Sequence, residues 1–426
     1  MRLKRRGGAF VRPGPSLEAT AFSGRKSDMS KVVLAYSGGL DTSVIVHWLK
    51  HERGMGVVTF SADVGQGEYL EPVGERALEI GAVSAHVSDV RQTFVDEYVI
   101  PSLKAAAVYE EGYPLATALG RPLIAAELVK IAHEEGCGFV AHGCTGKGND
   151  QVRIEASVAA LASDLKVIAP LREWSMKSRD EEIEYCETHN IPIEVTRAKP
   201  YSYDRNLWGV SIECGSLEDP WSAPPEDAYL MTRSPQDAPD EPVELVVGYT
   251  KGAPTSLDGE EMGALGIINQ LNKIGGDHGV GRLDQVENRL VGIKSREVYE
   301  APAAVMLHRG LRALEALCWG RELSHFAGIL SERYARLVYD GLWFTPLRES
   351  MDAFFNRAHN VTTGEVRLRL YKGSCTVVGR RSPHALYDMH LATYTPEDTF
   401  DHSAAEGFIK IWSLPVKSEA RQARGK

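Results

Sequence analysis

The chain has 426 residues, 43 % of them hydrophobic and 25 % charged, with a formal net charge of −10. Such a length suggests two or three domains of about 150 residues each, and the composition excludes wholesale disorder and fibrous repeats. An acidic chain with no run of about 18 apolar residues predicts neither a membrane span nor broad binding to nucleic acid or anionic membrane, which need a positive field.

In chain order, residues Met1 to Asp28 come first, with seven Lys/Arg against two Asp/Glu. Gly7, Gly8, Pro13 and Pro15 break any amphipathic helix there. Residues 1–28 are therefore expected to be a disordered or non-native extension before a start at Met29. An organellar presequence and a basic nucleic-acid arm are weaker alternatives. From Lys31 strands and helices alternate. Strands are predicted at Lys31 to Tyr36, Gly56 to Ala62, Ala82 to Val87, Gly138 to His142 and Lys166 to Pro170. Helices are predicted at Thr42 to Arg53, Pro72 to Ile80, Phe94 to Tyr109, Pro122 to Glu135 and Arg179 to His189. This alternation predicts an α/β fold with a mostly parallel sheet and helices on both faces, over residues 29–199.

After Lys199 the pattern changes. Gly215 to Pro242 holds six prolines and reads as irregular. A strand at Val243 to Tyr249, a helix near Gly259 to Lys273 and a glycine turn from Gly275 to Gly281 follow. Further helices are predicted at Pro302 to Trp319 and Pro346 to His359, with a hairpin of Val366 to Leu370 and Cys375 to Val378. Residues 200–400 are expected to form a second, α+β domain, and residues 401–426 a C-terminal segment with a polar tail. The six cysteines form no CxxC pair, so reduced thiols in a cytoplasmic protein are expected.

The sharpest motif is Ala35, Tyr36, Ser37, Gly38, Gly39, Leu40, Asp41, Thr42 and Ser43, between the first strand and the first helix. Two glycines let backbone N–H groups approach an anion, and the helix start points its positive end at the same place. Ser37, Thr42 and Ser43 add hydroxyls. A carboxylate at Asp41 beside phosphates makes sense with Mg2+ between them. A tight glycine turn alone explains the glycines but not three hydroxyls around one carboxylate. No Walker A loop occurs.

This S-G-G-x-D-[ST]-S loop resembles that of the N-type ATP pyrophosphatases, the PP-loop superfamily. His142 to Glu155, Gly279 to Arg289 and Gly292 to Tyr299 resemble further signatures of the argininosuccinate synthase family, over about Lys31 to Leu414. The resemblance implies an adenine nucleotide alpha-hydrolase-like, Rossmann-like first domain and a synthetase and multimerisation domain. It implies an ATP-dependent ligase joining citrulline and aspartate through citrullyl-AMP, with ATP as co-substrate, Mg2+, and a homotetramer. ATP would be held by Ala35 to Ser43, Ala62 and Gly143. Citrulline would be held by Tyr113, Ala118, Asn149, Arg153, Ser202, Ser211, Glu287 and Tyr299. Aspartate would be held by Thr145, Asn149 and Asp150. At Ala118, where serine is common in the family, any contact must use the backbone.

Chemically, Arg153 suits a carboxylate by bidentate pairing and Glu287 a cationic amine. Asp41, Arg121 and Asp150 are the catalytic candidates. Arg121 reads as a charge stabiliser or a structural ion pair, and Asp150 as an amine ligand; no spacing marks a general base, and Asp150 and the substrate's own phosphate are the two candidate acceptors of the amine proton. The bland readings are a packed tyrosine at Tyr113 and a helix-surface ion pair for Glu287, Asn288 and Arg289. The alternatives in function are another adenylating ligase of the same superfamily and a non-catalytic ATP-binding sensor.

Overall fold

The computed structural model describes residues 30–67, 70–110, 112–176, 178–193 and 201–425; the expected extension, residues 1–28, lies outside them. The first layer begins with β1 (Lys31–Ala35), α1 (Leu40–His51), β2 (Gly56–Asp63), α2 (Glu71–Ile80) and β3 (Ser84–Asp89). Next, α3 (Arg91–Phe94) runs through a π-helical turn at Val95–Val99 into α4 (Ile100–Lys104). Then come α5 (Ala116–Glu135), β4 (Phe139–Ala141), α6 (Asp150–Leu161), β5 (Lys166–Ile168), α7 (Pro170–Glu173) and α8 (Arg179–His189). The five strands pair in parallel in the order β3-β2-β1-β4-β5. Apolar residues of β1 alternate between two cores. Val32 and Leu34 pack with Val44, Ile45 and Leu49 of α1, while Val33 packs with Leu128 of α5 and Val158 of α6. A strand covered on both faces by helices is a continuous apolar run, as this one is.

The second layer opens with β6 (Ser202–Asn206), β7 (Gly209–Glu213), β8 (Val243–Thr250), β9 (Ala253–Leu257), β10 (Glu260–Glu261) and α9 (Ala264–Asp277). It continues with β11 (Arg282–Asn288), β12 (Lys294–Glu300), α10 (Pro302–Cys318), α11 (Arg321–Tyr339), α12 (Pro346–Ala358), β13 (Gly364–Tyr371) and β14 (Ser374–Arg381). Two antiparallel sheets result, β10-β9-β8-β13-β14 and β11-β12-β7-β6. The chain ends in α13 (Met389–Ala392), α14 (Ala404–Trp412) and α15 (Leu414–Ala423), none of which buries a residue. The stretch expected as a polar tail is thus helical as far as Ala423.

Other differences from the expected elements have local causes. Helix α5 begins six positions before Pro122, because the Tyr113 hydroxyl accepts the N–H groups of Thr117 (2.9 Å) and Ala118 (3.2 Å). A phenol from outside the helix does the work of the usual Ser, Thr or Asp cap. Helix α6 escaped notice because its first turn, Asp150 to Arg153, is polar and follows a glycine-rich loop. Glu287 sits on strand β11 rather than on a helix, so the helix-surface ion pair is corrected. Strand β11 carries alternating charges that are satisfied across the sheet, as in the Arg296–Asp284 pair at 2.6 Å.

Candidate active site

The loop after β1 is built as an anion cradle. Gly38 takes a left-handed φ of +76°, and a Cβ there would meet Val73 at 2.9 Å, so glycine is required. Gly39 caps α1 without a side chain, which leaves the first N–H groups of the helix for an anion. The Ser37 and Thr42 hydroxyls lie 3.1 Å apart, and the Tyr36 phenol lies 3.2 Å from Ser43 Oγ. Arg76 of α2 donates to the Gly38 carbonyl at 3.1 Å and brings a cation to the loop. Glu182 of α8 lies against Asp41. Burial, then its hydrogen bond to Asp41, pushes the Glu182 carboxyl up to about 8.

Strand β4, the neighbour of β1, delivers the second motif to the same edge. A Cβ on Gly143 would lie 3.2 Å from Thr42 Cγ2, so the two loops touch. In open parallel sheets this edge of the strands is where ligands bind. His142 is fully buried, with Nδ1 accepting the Cys144 N–H at 3.2 Å and Nε2 facing Glu155 at 3.2 Å. Burial lowers its pKa, so it stays neutral and fixes the path of the loop. Ala62, next to last in β2, has its carbonyl accepting from Gln66 Nε2 at 3.0 Å.

A pocket beside this edge joins both layers. Tyr113, Thr145, Asn149, Asp150 and Arg153 line it from the first layer, and Ser211, Glu287 and Tyr299 from the second. Glu287 is held by two phenols: Tyr299 donates to Oε2 at 2.7 Å and Tyr339 to Oε1 at 2.6 Å. Tyr113 stacks on Tyr299 with ring centroids 4.2 Å apart. Asn149 Nδ2 donates to the Tyr339 hydroxyl at 2.8 Å, and Asn149 Oδ1 accepts the Leu290 N–H at 2.9 Å. Arg153 Nε donates to the Tyr339 carbonyl at 2.9 Å.

Two of the residues expected to hold citrulline stand apart from this pocket. Ala118 is fully buried, with its N–H given to Tyr113, so it supports that phenol. Ser202 is exposed at the start of β6. Residues that sequence reasoning missed also line it: Thr117, Asp204, Glu213, Arg289 and Glu297. Tyr339, which links Asn149, Arg153 and Glu287, was missed with its whole helix.

Arg121 bridges two carboxylates, Asp150 at 2.7 Å and Asp204 in a short contact. Burial alone raises the Asp150 carboxyl, but the Arg121 and Arg153 guanidiniums outweigh it and leave Asp150 below the ordinary range. Asp204 keeps a raised pKa: burial lifts it, Arg121 pulls it down, and Asp150 lifts it again. On the second-layer wall of the pocket, Arg289 pairs with Glu297 at 2.6 Å and with Glu213 in a short contact. Burial and the charge of Glu213 push Glu297 up to about 8. An anion cradle thus adjoins a pocket with fixed carboxylates and guanidiniums, suited to a zwitterionic amino acid.

Comparison with known proteins gives concordant matches for both layers. Residues 31–192 match the family described as arginosuccinate synthase N-terminal HUP domain, and residues 201–419 match arginosuccinate synthase C-terminal domain. A protein of Aquifex aeolicus named argininosuccinate synthase is 56 % identical over 398 residues, 93 % of this chain and 99 % of its own length. The protein of that name from Chlorobium chlorochromatii is 53 % identical over 91 % of this chain and 97 % of its own. The one from Halalkalibacterium halodurans is 52 % identical over 91 % of this chain and 94 % of its own.

Proposed function

The chain belongs to the argininosuccinate synthase family, and we propose on that basis that it condenses L-citrulline with L-aspartate at the expense of ATP. The ureido oxygen of citrulline attacks the α-phosphorus of ATP, giving citrullyl-AMP and pyrophosphate. The aspartate amine then displaces AMP and leaves argininosuccinate. A ureido carbon is a poor electrophile until its oxygen becomes part of a leaving group, so positioning and charge stabilisation carry the first step.

The observation that carries this reading is a carboxylate–guanidinium pocket opening beside an anion cradle, with walls from both layers. ATP takes Ala35 to Ser43, Ala62 and Gly143. Citrulline takes Tyr113, Asn149, Arg153, Ser211, Glu287 and Tyr299, with its α-amine on Glu287; Ala118 acts through Tyr113, and Ser202 stands at the margin. Aspartate takes Thr145, Asn149 and Asp150. Arg121 holds its two carboxylates in place.

The donor set fits Mg2+ brought in on phosphates rather than held in a protein cage. Among the described residues no three His, Cys, Asp or Glu side chains converge as a metal site, which suits a cation that keeps most of its ligands from phosphate and water. Asp41 would hold the cation from the protein side, and the cation would neutralise charge on the pyrophosphate. The six cysteines are free, which supports a cytoplasmic setting. Exposed apolar side chains on α14, among them Phe408, Ile411 and Trp412, support self-association as a homotetramer. Oxygen-18 in the ureido carbonyl of citrulline tests the chemistry: it is expected in the phosphate of AMP, and AMP free of label overturns the reading.

A further inference from the structure

The reaction proposed above needs a base, and this inference rests on that reading. Aspartate enters as an ammonium ion and must lose a proton before its nitrogen can attack. Asp150 is poorly suited to accept it. Arg121 at 2.7 Å and Arg153 at 2.8 Å both hold its carboxylate, and a carboxylate between two guanidiniums is a weak base. One other carboxylate shares Arg121. Asp204 lies on β6 opposite Ser211 of β7, lines the same pocket, and keeps a third of its side chain accessible.

We propose that Asp204 is the general base that takes the ammonium proton of aspartate in the second half of the reaction. The groups around it are Arg121 from α5, Asp150 and Arg153 from α6 and Cys144 from the loop after β4. Ser211 is its neighbour on β7, and Glu213 of that strand also lines the pocket. Burial and the Asp150 charge raise its carboxyl, and the Arg121 guanidinium opposes them. Such a group is a better acceptor than its clamped neighbour.

The step balances as follows. One ammonium proton passes to Asp204. The freed nitrogen lone pair forms a bond to the ureido carbon of citrullyl-AMP. The bond from that carbon to the phosphate oxygen breaks, and its electron pair leaves on AMP. The second amine proton departs with the phosphate, and the product carries a guanidinium.

Two assays on the full chain separate the half-reactions. Citrulline-dependent exchange of labelled pyrophosphate into ATP, without aspartate, reports the first; argininosuccinate formation reports the second. Asp204→Asn is expected to keep the exchange and to lower kcat for ligation about 100-fold or more, the usual contribution of a positioned base. Its remaining rate should climb with pH as free amine accumulates, whereas the wild type levels off above an acidic limb. Asp204→Glu, which keeps a carboxylate, should regain part of kcat. A normal ligation rate and pH profile in Asp204→Asn overturns the assignment. So does a loss of exchange and ligation together in both variants with unchanged melting, since that marks a structural anchor for Arg121. A wild-type chain that exchanges nothing with citrulline overturns the ligase reading, and this assignment with it.

Discussion

One side chain, Tyr339, joins three groups assigned to the substrate pocket. Its hydroxyl accepts from Asn149 and donates to Glu287, its carbonyl accepts from Arg153, and its ring stacks on Tyr109 with centroids 3.6 Å apart. Tyr339→Phe keeps the stack and removes the hydroxyl, leaving Glu287 with one phenol. A hydrogen bond to a charged group is worth about 1.5–3 kcal/mol. The KM for citrulline should therefore rise roughly 10- to 100-fold, with a melting temperature close to the wild type; steady-state kinetics and a thermal melt check both. At this scale the sequence was legible where chemistry is contiguous, as in Ala35 to Ser43 and His142 to Glu155. It was silent where partners meet from far apart. Asn149 and Tyr339 are 190 positions apart, and Arg121 and Asp204 are 83 apart. No local spacing carries such pairings, which is also why no base was found from sequence.

Elements bring those distant partners together, and where the end of α11 meets α6 the two backbones come close. Gly341 follows α11 with φ of +75°, and a Cβ there would lie 2.7 Å from the Arg153 Cα. Backbone on both sides leaves nothing that can yield. Gly341→Ala should lower stability by about 1–3 kcal/mol, as overpacking does, and push Arg153 and Tyr339 apart, raising the KM for citrulline. Gly54→Ala is the control, since Gly54 has φ of +62° with no atom within 4 Å of the added Cβ; it carries only the backbone cost, about 1 kcal/mol. Chemical denaturation of the pair separates clash from backbone strain, and equal losses would refute the clash. The parallel sheet was readable because β1 and β2 are apolar runs between helices. Strands β11 and β12 were not, because charged residues such as Asp284 and Arg296 pair across the sheet and blur the alternation that marks a strand, and β6 and β7 are only five residues each. The site lies between the legible sheet and the illegible one, so its first-layer wall was better foreseen than its second.

At the scale of the whole molecule, the C-terminal arm is the unbalanced part. It leaves the sheet edge at β14 and carries Leu386, Tyr387, Met389, Tyr394, Phe408, Ile411 and Trp412, each more than half exposed. Phe408 stacks on Trp412 within its own helix at 5.5 Å. A lone chain rarely leaves so much apolar surface in water, and burying each large side chain is worth about 1.5–3 kcal/mol. Sequence reading took the end of this arm for a polar tail because Lys417 to Lys426 is charged, while the apolar residues on the helices before it are not buried against the described part of the chain. If copies of the chain cover one another's arms, removing residues 383–426 should lower the sedimentation mass from that of a tetramer to that of a smaller species at the same protein concentration. The pocket and the anion cradle lie wholly before residue 340, so the shortened chain should still bind ATP in equilibrium dialysis. A tetramer that survives the deletion would place the interface elsewhere on the second layer, and a full-length chain that sediments as a monomer would leave the arm without a second copy to cover it.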